Sequence, residues 1–286
     1  MKVLAFGEIL WDVYPTEKFL GGASLNFGAH LAKHGHEVYM LSALGKDGYG
    51  DEALEQVRKW NLKEDYIARL ETPTGTCVVT LDDKGMPSYD LKNHVAYDYI
   101  PGEAEGDFDV LYFGTLALRG DHNRASVKKL LAEKQFQQVF VDVNIRPPYQ
   151  FPETAAMAAE NATILKVSEE ELNEVARLLG MEKAKHDVFA KALAAKYPNL
   201  RYIVITLGGD GAYALDCGSG AEFTCPSEKV TVASTVGAGD SFGAAFLHKL
   251  FAGGSIPECL QYAGKVAAFV VSQNPAVPDY DPKTLA

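Results

Sequence analysis

Ser234-Thr235-Val236-Gly237-Ala238-Gly239-Asp240-Ser241-Phe242-Gly243 sets a carboxylate among small residues where an extended segment gives way to a helix-forming one. A Gly-Ala-Gly turn that opens a helix leaves backbone N–H groups without intrahelical acceptors at the positive end of the helix dipole, so it can hold an anion, phosphate above all. Asp240 is a poor ligand for such an anion, because carboxylate and phosphate repel. It is well suited to act as a base that takes a proton from an attacking hydroxyl. Two other readings stay open on these residues alone. The small residues also permit close packing of a helix on a strand, with Asp240 merely complementing the helix N-terminus. A dinucleotide fingerprint is the other, although the glycines run G-x-G-x-x-x-G and the βαβ continuation is missing after them.

Upstream of this stretch, apolar runs of strand length recur at Val3–Ile9, Val38–Leu44, Val110–Phe113, Val139–Val143, Ile164–Val167 and Tyr202–Leu207. Between and after them lie segments of helical periodicity: Asn26–His34, Tyr49–Trp60, Ala125–Lys134, Glu169–Leu179, Val188–Tyr197, Ala238–Phe251 and Pro257–Ser272. Such alternation predicts an α/β fold with a parallel sheet covered on both faces. One piece breaks the pattern. Thr76–Leu81 and Ser88–Lys92, joined by Asp82-Asp83-Lys84-Gly85, read as an inserted hairpin that could form a small separate sheet with Leu10–Phe19.

Other residues stand out for their chemistry. Asp12 interrupts an apolar run at the end of the first predicted strand, where open α/β sheets place ligand groups. Ser168-Glu169-Glu170-Glu171 has the S-x-x-E form of a capping box. Lys166, on the preceding strand, could reach a phosphate or stand in solvent. Gly208-Gly209-Asp210-Gly211 reads first as a hairpin turn into Ala212–Leu215. His30 and His34 share a helical face with metal-like spacing, and His36 follows. No suitably placed carboxylate or Cys completes a metal set, and a satisfied helix end is the simpler reading.

Composition narrows the partners. The 286 residues carry a formal charge of −11 without a run of Lys or Arg, which argues against nucleic acid or an anionic membrane. With 47% hydrophobic residues, the chain can bury a large core. Cys77, Cys217, Cys225 and Cys259 form no C-x-x-C pair, so reduced thiols in a cytoplasmic protein are expected. No apolar run reaches the ~18 residues of a membrane span, and Met1–Glu8 lacks the form of a signal peptide.

Residues 234–247 resemble the C-terminal signature of the ribokinase-like (PfkB) carbohydrate kinases, D-T-x-G-A-G-D, with Ser234 in place of the first Asp. Gly21-Gly22-Ala23-Ser24-Leu25-Asn26, followed by Gly35 and Gly45, resembles the family's N-terminal signature. Asp142-Val143-Asn144-Ile145-Arg146-Pro147 is similar to the D-x-N-x-R-P segment of its fructokinase and ketodeoxygluconate kinase branches.

The resemblance implies a three-layer αβα domain over residues 1–286, with a mostly parallel sheet and a small β-sheet lid from about 10–20 and 74–98, often used for dimerisation in the family. It implies ATP and Mg²⁺ as cofactors, Asp240 as catalytic base, and the N–H groups of Gly237, Ala238 and Gly239 as an anion hole. The sugar side would comprise Asp12, Gly21, Gly22, Asn26 and Arg146. The ATP side would comprise Lys166, Ser168, Thr206, Gly208, Gly211 and Gly239, with Glu171 acting on Mg²⁺ through water. A fructokinase-like activity is the first expectation. A kinase for another sugar, a sugar acid such as 2-keto-3-deoxygluconate, or a nucleoside is the alternative, and a non-catalytic sugar or nucleotide sensor is one of another class. The family's first Asp partners a monovalent cation; Ser234 brings no charge, so the resemblance does not extend to potassium activation. Ser272-Gln273-Asn274-Pro275-Ala276 also departs from the family's S-x-x-G-A.

Overall fold

A computed structural model describes residues 1–81, 87–149 and 151–285. Its main sheet has nine strands: β1 (Lys2–Phe6), β4 (Glu37–Gly45), β5 (Lys63–Leu70), β8 (Val110–Gly114), β9 (Gln138–Asp142), β10 (Ile164–Ser168), β11 (Tyr202–Thr206), β12 (Ala212–Asp216) and β13 (Glu222–Cys225). Their spatial order is β13-β12-β11-β10-β9-β8-β1-β4-β5. Neighbours from β11 to β5 run parallel, whereas β12 and β13 are added antiparallel at one edge. Period-two alternation along β1 sends Leu4 and Phe6 into one core and Val3 and Ala5 into the other.

Helices cover both faces. α1 (Ala23–Lys33), α2 (Gly48–Lys59), α7 (Ala238–Phe251) and α8 (Ile256–Val271) pack on the Val3 face. The Leu4 face carries α3 (Asp121–Glu133), α4 (Pro152–Asn161), α5 (Leu172–Leu178) and α6 (His186–Lys196). This is the expected three-layer arrangement, built by burying apolar strands between amphipathic helices.

The small sheet is also present, with strand order β3-β2-β6-β7. Its strands are β2 (Leu10–Val13), β3 (Lys18–Gly21), β6 (Gly75–Leu81) and β7 (Pro87–Leu91). The predicted turn Asp82–Gly85 lies outside the described residues. β2 runs parallel to β6, so the hairpin and the Leu10–Phe19 region do share one sheet.

Two expectations need correction. The run Val3–Ile9 is not one strand that ends at Asp12: β1 stops at Phe6, and Asp12 lies on β2 of the small sheet. The break falls at Gly7, where an added β-carbon would sit 2.6 Å from the Ser24 hydroxyl, so α1 closes against bare backbone. The helix expected over Glu169–Leu179 is likewise two pieces, a 3₁₀ turn at Glu169–Glu171 and then α5.

Candidate active site

Seven parallel strands end on one side of the sheet, and α7 begins above them. Gly237 caps α7 in the left-handed region at φ 80°, a conformation that a residue with a β-carbon resists. Close approach reinforces the requirement, because a β-carbon there would lie 2.7 Å from the carbonyl oxygen of Ala276. The turn differs from expectation in one donor. The Ala238 N–H donates to the Thr235 carbonyl at 3.3 Å, whereas those of Gly237 and Gly239 have no hydrogen-bond partner among the described residues. Two of the three expected anion donors are thus free, and the third is spent on closing the turn.

Asp240 lies in the first turn of α7 and is buried. The Asn26 side-chain amide of α1 donates to its Oδ2 at 2.8 Å. Burial pushes the Asp240 carboxyl up to about 6, opposed by the Asn26 bond and by the charges of Lys166 and Arg146, and assisted by Glu8. The Oδ1 of Asn26 is buried with no partner among the described residues. Asn26 and Asp240, distant in sequence, therefore meet in the fold.

Lys166 is neither solvated nor free. It is buried on β10, and its ammonium donates to both carboxylate oxygens of Asp142, at the end of β9, at 2.7 and 2.9 Å. Burial pushes the Asp142 carboxyl up to about 7 against the pull of Lys166, whereas the Lys166 ammonium, although burial works against it, keeps its proton more firmly than usual because Asp142 faces it. Its Nζ lies 3.1 Å from where a β-carbon on Gly239 would stand. A fixed positive charge thus sits beneath the turn.

Ser168 and Thr206 are neighbours at the ends of β10 and β11. Ser168 forms the expected capping box, its hydroxyl donating to Glu171 Oε2 at 2.6 Å. The other oxygen of Glu171 accepts from the Ile145 N–H at 2.8 Å, which ties this turn to the Asp142–Pro147 segment. Gly208 and Gly209 form an open 3₁₀ turn after β11, and a β-carbon on either would meet nothing within 4 Å. Gly211 is different: it packs against Cys225, so the turn is pinned at its far end.

On the opposite side, Asp12 pairs with Cys77 across β2 and β6, and Gly21 approaches its carboxylate. Burial raises Asp12 to about 6, while the Cys77 bond and Arg146 oppose the rise. Arg146 is exposed and makes no ion pair among the described residues, yet its charge acts on both Asp12 and Asp240. Gly22 caps α1, and the adjacent Ala23 N–H donates to Glu8 Oε1 at 2.7 Å. Sequence reasoning gave no site role to two acids here, Glu8 and Asp142, although Asp142 opens the D-x-N-x-R-P segment. Each interrupts an apolar strand-like run, the same signal that singled out Asp12.

Among the described residues no group of three or more His, Cys, Asp or Glu could hold a metal ion, and no helix is long and apolar enough to cross a membrane. His34 Nδ1 donates to the His30 carbonyl and its Nε2 accepts from the Tyr262 hydroxyl, and His36 pairs with His248.

Comparison with known proteins gives the family and the fold. A fructokinase from Rhizobium leguminosarum bv. trifolii is 29% identical over 272 residues, covering 87% of this chain and 79% of that one. A 5-dehydro-2-deoxygluconokinase from Listeria monocytogenes serotype 4b is 25% identical over 297 residues, covering 96% and 87%. The fold is shared with a fructokinase from Vibrio cholerae O395 solved with fructose, ADP and calcium ion, at a TM-score of 0.81 and 22% identity over 96% of this chain and 94% of that one. Residues 4–281 match the sequence profile of the pfkB family carbohydrate kinases, so this chain belongs to that family and is an ATP-dependent sugar kinase.

Proposed function

We propose that the chain is a fructokinase-like enzyme that transfers the γ-phosphoryl group of ATP to a sugar hydroxymethyl group. The observation that carries this reading is Asp240, a buried base raised to about 6 beside the two free N–H groups of its own helix turn. Such a base is ionised at neutral pH yet keeps a useful proton affinity. In the proposed step the sugar O–H gives its proton to Asp240 as its oxygen attacks the γ-phosphorus. The bond to the β–γ bridging oxygen breaks and ADP leaves. The N–H groups of Gly237 and Gly239, the α7 dipole and the Lys166 ammonium face the charge that spreads over the phosphoryl oxygens.

Asp12, Gly21, Gly22, Asn26 and Arg146 form the proposed sugar side, with the small sheet as a lid and as the face through which two copies could pair. Ser168, Thr206, Gly208 and Gly211 form the proposed nucleotide side. Glu171 alone cannot cage a metal, and both its oxygens already accept hydrogen bonds. A single carboxylate fits a Mg²⁺ ion that arrives on nucleotide phosphates and keeps its waters. Bound there, the ion would neutralise phosphate charge.

Fructose is the first choice because of the Asp142–Pro147 segment and the fructokinase relative. A sugar acid is the second reading, favoured by the unpaired guanidinium of Arg146 near Asp12 and by the 5-dehydro-2-deoxygluconokinase relative. The test is ADP release from Mg·ATP over fructose, ribose, tagatose, 2-keto-3-deoxygluconate, 5-dehydro-2-deoxygluconate and adenosine, with Asp240→Asn alongside. Turnover on fructose that falls ~10²–10⁴-fold in the variant is expected. Preference for an acid replaces fructose with the second reading. Binding without turnover on any of them would make the chain a sensor.

A further inference from the structure

Asn26 and His30 lie one turn apart on the same face of α1. Asn26 holds Asp240, and His30 faces the segment that follows α8. His30 is fully buried, with Nε2 3.0 Å from the carbonyl oxygen of Ala276 and Nδ1 2.8 Å from the Tyr280 hydroxyl. A carbonyl can only accept, so Nε2 bears the proton, and the Tyr280 hydroxyl donates to Nδ1. Burial keeps both groups neutral, pushing His30 down to about 4 and the Tyr280 phenol up. The chain therefore has one direction, Tyr280 to His30 to Ala276.

The oxygen at its end is the one that lies against Gly237. A β-carbon on Gly237 would stand 2.7 Å from it and 2.7 Å from the Ala276 methyl. Nothing in the loop 273–277 is regular secondary structure, so its placement depends on such tethers. We propose that His30 is a positioning residue for phosphoryl transfer: by donating to Ala276 it fixes the segment that backs Gly237 and keeps the N–H groups of the 237–239 turn aimed at the transferring phosphoryl group. α1 then aligns both halves of the site, the base through Asn26 and the anion donors through His30. This inference rests on the reading of that turn as the anion hole.

The chemistry separates a tether from simple packing. His30→Leu keeps the bulk and removes the donor, whereas His30→Gln puts an amide nitrogen near the position of Nε2. Steady-state kinetics on the full chain, with Asp240→Asn as reference, should show kcat about tenfold lower in His30→Leu, KM for sugar and ATP within about twofold, and most of the kcat restored in His30→Gln. Equal losses in the two variants, a loss confined to KM, or an unchanged kcat in His30→Leu would each overturn the proposal. Should His30→Leu fail to fold, Tyr280→Phe deletes only the hydroxyl that orients the ring. It should lower kcat about twofold to fivefold at constant KM, and an unchanged kcat there counts against the tether. Full activity in Asp240→Asn would instead overturn the reading of the site itself. Loss in that variant with unaffected His30 variants removes only the role of His30.

Discussion

The side-chain amide of Asn26 donates to Oδ2 of Asp240 at 2.8 Å, linking the first helix of the chain to the first turn of the seventh. The bond favours the ionised carboxylate and so holds its pKa below what burial alone would impose. For a general base, activity rises with pH as the group loses its proton, so kcat/KM should climb through an acid limb near the value of about 6 that Asp240 carries. In Asn26→Leu that limb should move upward by roughly one pH unit. A fall in plateau height would report the proposed sugar contact of Asn26 and is read separately from the midpoint. A limb that stays in place would mean that Asn26 does not tune the base.

Stability should respond to the same carboxylate with the opposite preference. The folded-state pKa of Asp240, about 6, exceeds its ordinary 3.8. A raised group contributes stability that is fully present below the lower value and lost as pH rises through the higher one. Asp240→Asn removes the charge, so this variant should be the more stable protein at neutral pH, by on the order of 2–3 kcal/mol. The gap should narrow through pH 6 and vanish near 3.8. Denaturant titrations at three pH values test this, and a variant less stable at neutral pH would contradict it.

Lys166 and Asp142 are a buried pair with 2.7 and 2.9 Å contacts, and each is the other's compensation. Lys166→Met strands a buried carboxylate and should cost about 3–5 kcal/mol. Adding Asp142→Asn removes the stranded charge and should return most of that stability. Activity should not return with it, because the positive charge under Gly239 is gone. Recovery of kcat in the double variant would show that the pair serves the fold alone.

How much of this was legible in sequence depends on how local the determinant is. The turn at 237–240 and the apolar strands are local signals, and the three-layer fold follows from them. β5 escaped because Lys63, Glu64, Asp65 and Arg69 mark it as polar; it is an edge strand on which Lys63 and Asp65 are exposed while Tyr66, Ala68 and Leu70 pack on the core. α4 was overlooked although Pro152 at its start and four alanines after it favour a helix. Asp12 was assigned to the wrong strand because one apolar run covers the end of β1 and the start of β2, and the break at Gly7 is enforced by Ser24. The state of Lys166 could not be read at all, since its partner lies 24 positions away on another strand.

The glycine turn after β11 offers a contrast within four residues. Gly209 is exposed, and a β-carbon there meets nothing within 4 Å. On Gly211, at φ +107°, it would fall 2.0 Å from the Cys225 carbonyl oxygen. Gly209→Ala should leave stability within about 0.5 kcal/mol of the parent. Gly211→Ala must displace β13 or the turn, and should lower the melting temperature and raise the ATP KM together. Equal behaviour of the two variants would mean that the turn relaxes freely and does not shape the nucleotide side.

Arg146 bears on which acceptor is used. Its guanidinium makes no ion pair among the described residues, but its charge lowers the pKa of both Asp12 and Asp240. A neutral sugar would meet it through hydroxyls, whereas a sugar acid would place a carboxylate against it, an interaction worth about 1.5–3 kcal/mol when charge-assisted. Arg146→Met should therefore lower kcat/KM for 5-dehydro-2-deoxygluconate relative to fructose by about 10–100-fold. The ratio matters more than either value, because loss of the positive charge also raises Asp240 and depresses both reactions near pH 6. Measured at pH 8, where the base is ionised with or without Arg146, the ratio isolates recognition. A ratio that stays constant would place Arg146 outside acceptor selection and leave it the electrostatic role on Asp240 alone.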